Sequence, residues 1–492
     1  MTPRSPRAGE DADDLDVEEA LALVNDAHTS GDRPSGNRTH GDRPSGDRTH
    51  GDRPSGDRTH GDDGTHRNGP HGTPVPGAPA HRDGTDWTDA RATAARAPRR
   101  SGGHRGGHLS PVSVPMPSAL GLTLAAPLIA LTDLPSFDTS AMDGWAVSGP
   151  GPWDVREEGV LAGHTAHAPL TDGEAVRIAT GARIPPDTTA VLRSEHGRTD
   201  DKGRLHATAA TRAPHTVSHG QDIRPRGQEC RNGDQLLPVG TLVTPPVLGM
   251  AAAAGYDTLT VVPRPRAAVF VLGDELLGEG LPHDGLIRDA LGPLLPPWLR
   301  ALGADVVDVR RVGDDEDALH QALTACDADV VVTTGGTAAG PVDHVHPTLR
   351  RLGAELLVDG VAVRPGHPML LARISEKQYL VGLPGNPLAA VSGLVTLAEP
   401  LLRTLAARPA PEGYTMPLRD AVQGHPYDTR LVPVALRGDR ALPLLYNGPA
   451  MLRGIAAADA LAVVPPGGAK PGYEAELLDL PWASGGIGVC FT

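Results

Sequence analysis

Apolar and polar positions follow different rhythms along this chain of 492 residues. From Asp16 to Ala27, DVEEALALVNDA sets Val17, Ala20, Leu21 and Val24 at helical spacing, with acids in the first turn. The rhythm then vanishes. A ten-residue repeat starts at Gly31, as GDRPSGNRTH and then GDRPSGDRTH twice, and no aliphatic or aromatic residue occurs between Ala27 and Val75. Such a segment cannot bury enough surface to offset its ordering entropy, so a disordered insert is expected over 29–109, after a helix within 1–28. A repeat without an apolar face has nothing to stack as a solenoid. His40, His50 and His60 recur once per repeat and read as solvated linker rather than as a metal site.

Over 110–262, short alternating runs such as EAVRIATGARIPPDTTAVL, broken by Gly and Pro, predict a β-rich region with long loops. A helix is expected from about Pro246, followed by a strand ending at Val262. From Arg266 the runs become Val-rich and alternate with helical patterns: RAAVFVLGDEL, GLIRDALGPLLPPWLRALGA, ADVVDVRRVGDD, DEDALHQALTAC, ADVVVTTGG. Pro293, Pro296 and Pro297 are expected to interrupt the first helix. Pro387 to Ala406 reads as a further helix. This grammar predicts a doubly wound parallel sheet over 263–408. Short strands return after about Pro411, predicting a small β-domain over 409–492.

Composition narrows the function. Lys and Arg number 45 against 60 Asp and Glu, a net charge of −15, which argues against non-specific nucleic-acid binding and leaves any anionic ligand to local donors. Aromatics are 3% of residues, so the core must be built from Val, Leu and Ala. Cys230, Cys326 and Cys490 are scattered and odd in number, which suits a reducing cytoplasm and indicates neither a disulfide framework nor a zinc site. No apolar leader and no run of about 18 apolar residues is evident, so neither a signal peptide nor a membrane span is expected.

Candidate chemistry sits at strand-to-loop junctions. Gly335, Gly336 and Gly340 in VVVTTGGTAAGPVD can converge backbone N–H groups on an anion, or can simply make a tight turn. Asp274 and Glu275 follow one predicted strand; Asp314 and Asp315 follow the next. Carboxylates on one sheet edge repel unless a cation intervenes, and Mg²⁺ with one or two carboxylates and substrate phosphate is the natural partner. Asp315 also suits a helix N-cap, as does Asn386 in GLPGNP. In PSFDTSAMDGWAV, Asp143 and Gly144 suit either a loop presenting a carboxylate or a plain Asp-Gly turn.

Taken together, PSFDTSAMDGWAV, TTGGTAAGPVD, LGDEL, the Asp314–Asp315 pair, RPGHP and the unchanged GLPGNP resemble the molybdopterin molybdenumtransferase family, to which the gephyrin E domain is related. ATGARIPPDTTAVLRSEHG and GQDIRPRGQEC add weaker matches. The resemblance implies insertion of molybdate into adenylylated molybdopterin with release of AMP, by a cytoplasmic homodimer that uses Mg²⁺. It implies catalytic roles for Asp143, Glu275, Asp343, Arg364 and His367, with Asp143 supplied by a second subunit. Thr180, Asp289, Asp314, Asp315, Gly335, Gly336, Gly340, Gly385 and Asn386 would hold the pterin substrate, and Asp274, Glu275 and Asp343 the metal. It also places the repeat between the family's first helix and the β-rich region. Departures fall in the same places. Ala338 replaces a serine, Arg364 and His367 replace two lysines, and Cys230 replaces an acid. Ala290 and Leu291 replace a polar pair after Asp289. They motivate an alternative, a degenerate paralogue that binds molybdopterin or a partner without turnover.

Overall fold

The computed structural model describes residues 84–100, 109–160, 163, 168–208, 217–338 and 343–482. The helix expected at 16–27, the repeat with its histidines, Gly340 and Cys490 lie outside them.

The described chain opens on a helix, α1 (Trp87–Arg96), inside the span expected to be a disordered insert. That expectation is corrected over 84–100. Asp86 caps the helix by accepting from Thr88 N at 2.9 Å. Trp87, Ala90 and Ala94 recur at helical spacing and are buried. A stripe of one Trp and small alanines carries little apolar signal, which is why composition hid it. Ahead of the helix, Thr85 is threaded into the α/β domain, with Thr85 N to Gly360 O at 2.9 Å and Ala362 N to Thr85 O at 2.8 Å.

The β-rich region is built from short strands. A six-stranded sheet runs in the order Ala190–Arg193, Gly144–Val147, Glu174–Ile178, Trp153–Val160, Arg204–Ala207, Gly197–Thr199. A second sheet joins Val112–Pro115, Thr258–Val262 and Thr123–Leu124, with helix α2 (Pro245–Ala253) against it through Ala251. Trp145 and Trp153, two of the chain's five tryptophans, fill one face of the larger sheet beside Leu192 and Leu205.

The α/β domain contains strands β1 (Arg266–Leu272), β2 (Asp305–Val312), β3 (Val330–Thr334), β4 (Glu355–Asp359), β5 (Leu370–Arg373) and β6 (Tyr379–Leu383), in the order β2-β1-β3-β6-β5-β4. β2, β1, β3 and β6 are parallel. β5 and β4 extend the sheet antiparallel, so the sheet is mixed rather than wholly parallel. The helices are α3 (Leu291–Ala301), α4 (Glu316–Thr324), α5 (Val345–Arg351) and α6 (Pro387–Leu405). Ala268, Phe270 and Leu272 of β1 pack under α4 and α5, and the intervening Ala267, Val269 and Val271 are equally buried. Successive side chains point to opposite faces, so both faces of the sheet are covered.

Two prolines did not do what their position predicts. α3 runs through Pro296 and Pro297, because Leu295, Pro296, Trp298 and Leu299 are buried and packing outweighs the lost hydrogen bonds. α6 is the described helix long and apolar enough to span a membrane by composition, but it is buried inside the protein. Within it, Leu394–Ala398 forms a π turn just ahead of Pro400, which has no N–H to offer the regular ladder.

The C-terminal sheet runs Val363–Arg364, Thr429–Arg437, Ala460–Val464, Glu474–Asp479, Tyr414–Pro417. Its first strand comes from the α/β domain, so Arg364 is stitched into the junction between the two.

Candidate active site at the carboxyl edge of the sheet

Four parallel strands end side by side, and their loops carry most of the predicted site. After β1, Asp274 and Glu275 are exposed. After β2, Asp314 Oδ2 accepts from Asp274 N at 3.3 Å, so the two acidic loops touch. Asp343 comes just before α5. Its neighbours His344 and Val345 lie against Gly336, whose added Cβ would be 3.2 Å from Val345 and 3.4 Å from Leu272. Asp343 therefore belongs to the same edge as Glu275.

Gly335 and Gly336 both have positive φ, at 78° and 65°. Gly335 N–H is taken by Leu383 O at 2.8 Å, so the amides left for an anion begin at Gly336. Gly385 sits against this turn, its added Cβ 3.7 Å from Gly335 Cα. Asn386 occupies the N-cap position of α6 but makes no side-chain capping bond. The first α6 amides are met instead by Pro449 O, from Leu388 N at 2.9 Å and Ala389 N at 3.2 Å. The C-terminal loop thus closes the helix end and leaves the Asn386 carboxamide exposed beside the glycines. A capping role, which the sequence suggested, does not account for this side chain.

Two predicted ligands are taken up by local structure. Asp289 Oδ1 accepts from Leu291 N at 3.0 Å and Gly292 N at 2.9 Å, and Oδ2 lies 3.7 Å from Arg311. Asp315 caps α4 by accepting from Ala318 N at 2.6 Å. Arg311 was not expected from sequence; it also donates to Leu276 O at 3.0 Å and so ties the β1 loop to β2.

In the RPGHP loop, Arg364 Nε donates to Asp428 Oδ2 at 2.8 Å. Asp428 is 7% exposed, while the Arg364 side chain stays about half exposed. His425 Nδ1 lies 3.2 Å from the same carboxylate oxygen. The loop packs on α6, since an added Cβ at Gly366 would be 3.1 Å from Ala389 O and from Ser392 Cβ. His367 Nδ1 is bonded to Val361 O at 2.9 Å, and its ring lies against Gly84 and Gly360. His367 is thus largely a packing group between the loop and the N-terminal segment. Arg430, also unforeseen, donates to Asn447 Oδ1 at 2.9 Å in the loop that carries Pro449. Neither Asp428 nor Arg430 stands in a spacing that sequence reading could have weighted.

In the β-rich region the motifs meet one another. Asp143 Oδ1 accepts from Thr180 N at 2.7 Å and from Thr180 Oγ1 at 3.0 Å. The backbone N–H and then the hydroxyl of Thr180 hold the Asp143 carboxyl below the usual range. Ala141 N donates to Asp222 O at 2.8 Å, and Asp222 receives a bidentate Arg193 at 2.9 Å on both oxygens. The SAMDG, TGA and GQDIR segments form one loop cluster. Cys230, in place of an acid, is buried, and its backbone carbonyl accepts from Leu134 N at 2.9 Å.

Comparison with known proteins follows this geometry domain by domain. Residues 86–255 match the MoeA N-terminal region (domain I and II), 268–404 a probable molybdopterin binding domain, and 415–480 the MoeA C-terminal region (domain IV). The molybdopterin molybdenumtransferase 2 of Mycobacterium tuberculosis is 35% identical over 321 residues, 61% of this chain and 76% of the relative. The chain belongs to the molybdopterin molybdenumtransferase family.

A Staphylococcus aureus member of the family is 29% identical over 388 residues, 75% of this chain and 90% of that protein. The solved structure of a molybdopterin biosynthesis MoeA protein from Pyrococcus horikoshii superposes with a TM-score of 0.66 at 25% identity, covering 80% of this chain and 99% of that one. The protein is accordingly a transferase of molybdenum-cofactor biosynthesis. The family match starts at residue 86, after the repeat, and α1 is its first helix. The repeat therefore precedes the matched region instead of interrupting it.

The Mg²⁺ that the sequence resemblance implies meets a limited set of donors. Among the described residues, no three His, Cys, Asp or Glu side chains form a group able to hold a metal ion. Those residues alone do not make a cage. The exposed acids of the touching β1 and β2 loops suit the other mode, in which Mg²⁺ takes one or two carboxylates and completes its shell with phosphate oxygens and water.

Proposed function

We propose that this chain inserts molybdate into adenylylated molybdopterin and releases AMP, acting as a cytoplasmic homodimer. The observation that carries this reading is the convergence of three elements on the start of α6. They are the Gly335–Gly336 turn, the free Asn386 carboxamide and the Arg364 loop packed on the helix.

The amides from Gly336 onward, with Gly385 leaving room for close approach, bind the pterin phosphate. Asn386 orients it. Arg364, aimed by buried Asp428, draws molybdate to the site and stabilises the charge that develops as AMP leaves. His367, whose Nδ1 is bonded to Val361 O, shapes that loop. Asp143, oriented by Thr180, reaches the edge from the second subunit. One or two of the carboxylates Asp274, Glu275 and Asp343 would hold Mg²⁺ together with substrate phosphate, and its charge would offset that of the leaving group. The chain supplies position and fixed charge; no covalent intermediate on the protein is needed.

Molybdate-dependent AMP release by the purified protein tests the reading. Wild type should release AMP, and Arg364→Ala should cut kcat/KM at least a hundredfold, while Arg364→Lys keeps part of it. Tight binding of adenylylated molybdopterin with no AMP release under any molybdate concentration would replace this reading with the degenerate paralogue.

A further inference from the structure

At the opposite end of α6 from Asn386 lies a cavity of about 610 Å³. From Pro387 to Arg403 the helix rises roughly 24 Å at 1.5 Å per residue, so the cavity is remote from the site above. Its walls come from α1, the C-terminal ends of α3 and α6, the segment before β1 and the strand Glu474–Asp479. Five arginines line it: Arg91, Arg264, Arg300, Arg403 and Arg408. In a chain of net charge −15, that is a local inversion of sign.

Three of the five are fixed by the surrounding structure. Arg91 donates to Val395 O. Arg403 Nε donates to Glu399 Oε1 at 2.9 Å. Arg408 donates to Gly121 O at 2.9 Å and Leu302 O at 3.3 Å. Gly303 has φ +92°, and a Cβ there would fall 2.5 Å from Arg408 Cζ, so the backbone is shaped to let this guanidinium lie on it. Arg264 and Arg300 form no ion pair among the described residues.

The acids of the cavity answer only part of this charge. Four acids stand against the five arginines: Glu399 is engaged by Arg403, Asp479 accepts the Tyr414 hydroxyl, Glu476 faces Arg91 from a distance, and Glu412 is exposed to solvent. Burial, and then repulsion from Arg403 and Arg264, holds Arg408 below its usual range. Leu242, Leu302, Pro411 and Leu478 give the cavity apolar wall. A ligand-sized space with preset, under-compensated guanidinium groups and apolar sides fits an organic anion.

We propose that this cavity binds a small organic phosphate, with the guanidinium groups on the phosphate and the apolar wall on its body. Calorimetry on the full chain at constant ionic strength tests it, with ribose 5-phosphate, glycerol 3-phosphate and inorganic pyrophosphate as probes and ribose as the uncharged control. Saturable binding of at least one phosphate probe, and none of ribose, is expected. The double variant Arg264→Gln/Arg300→Gln should weaken that binding at least tenfold with an unchanged melting temperature, and Arg364→Ala should leave it intact. Two outcomes overturn the proposal: no saturable binding of any phosphate probe, or binding that the double variant leaves unchanged, whether or not Arg364→Ala abolishes it.

Discussion

Asp143 is an exposed carboxylate whose direction is set by one neighbour, Thr180, through both its N–H and its hydroxyl. Thr180→Val removes only the hydroxyl. It should lower kcat several-fold and leave stability within about 0.5 kcal/mol, as for surface changes without a packing role; kinetics and thermal melts on one preparation check both. Glu174 behaves differently. Its carboxyl is held down at about 2 by the Arg156 guanidinium and then by Thr171 N–H. A carboxylate depressed on folding stabilises the native state above its ordinary value, 4.5, and that contribution drains away as pH falls toward 2. Wild type should therefore melt higher than Glu174→Gln near neutral pH, with the gap constant down to about pH 5 and closing below it. A gap that widens in acid would show that another interaction dominates. Both residues stand on the surface of the β-rich region, yet only the first lies in a motif, and only a motif let the sequence single it out. Asp428, Arg430 and Arg311 support the site through contacts made across the fold, so nothing local marked them.

Among the elements, the strand Gly144–Val147 shows what a signature glycine does. The sequence left Gly144 either in a loop presenting the Asp143 carboxylate or in a plain Asp-Gly turn. Here the close neighbour is the adjacent strand: a Cβ on Gly144 would stand 2.0 Å from Leu192 O. Gly144→Ala must push apart the pairing of Gly144–Val147 with Ala190–Arg193, and should destabilise by about 2 kcal/mol or more. A melt unchanged from wild type would mean the strand shifts freely. The same limits explain which elements were legible. Val-rich runs marked β1, β2 and β3 because strands buried on both faces must be apolar throughout. β4 was missed because, at the sheet edge, its ELLVD buries only Val358 fully. α1 was missed because alanine spacing is weak, and its partner is an irregularity. The π turn at Leu394–Ala398 leaves the Val395 carbonyl and the Thr396 hydroxyl to meet Arg91 and Trp87, the latter at 3.1 Å. No pattern of apolar positions announces such a match.

Across the whole molecule, the N-terminal segment divides into a part that packs and a part that composition says has no surface to pack. Trp87 is 4% exposed, and Thr404 Oγ1 donates to Ala95 O at 2.9 Å, so 84–100 belongs to the α/β domain. Deleting 31–82 should leave the melting temperature near wild type, whereas Trp87→Ala should cost about 3 kcal/mol or more, the usual range for a large buried side chain. The arrangement of the active site is a question at this same scale. Asp143 belongs to the β-rich region, Arg364 to the junction of the α/β and C-terminal domains. If each site takes Asp143 from one subunit and Arg364 from the other, the two defects can be separated by mixing. Asp143→Asn and Arg364→Ala homodimers should each be inert. Co-expressed in equal amounts, half of the dimers carry one copy of each. In such a dimer one site collects both defects and the other collects neither, so the mixture should recover about a quarter of wild-type AMP release in a symmetric dimer. If both residues serve a site within one chain, every site in the mixture keeps one defect, and no activity returns however the subunits combine.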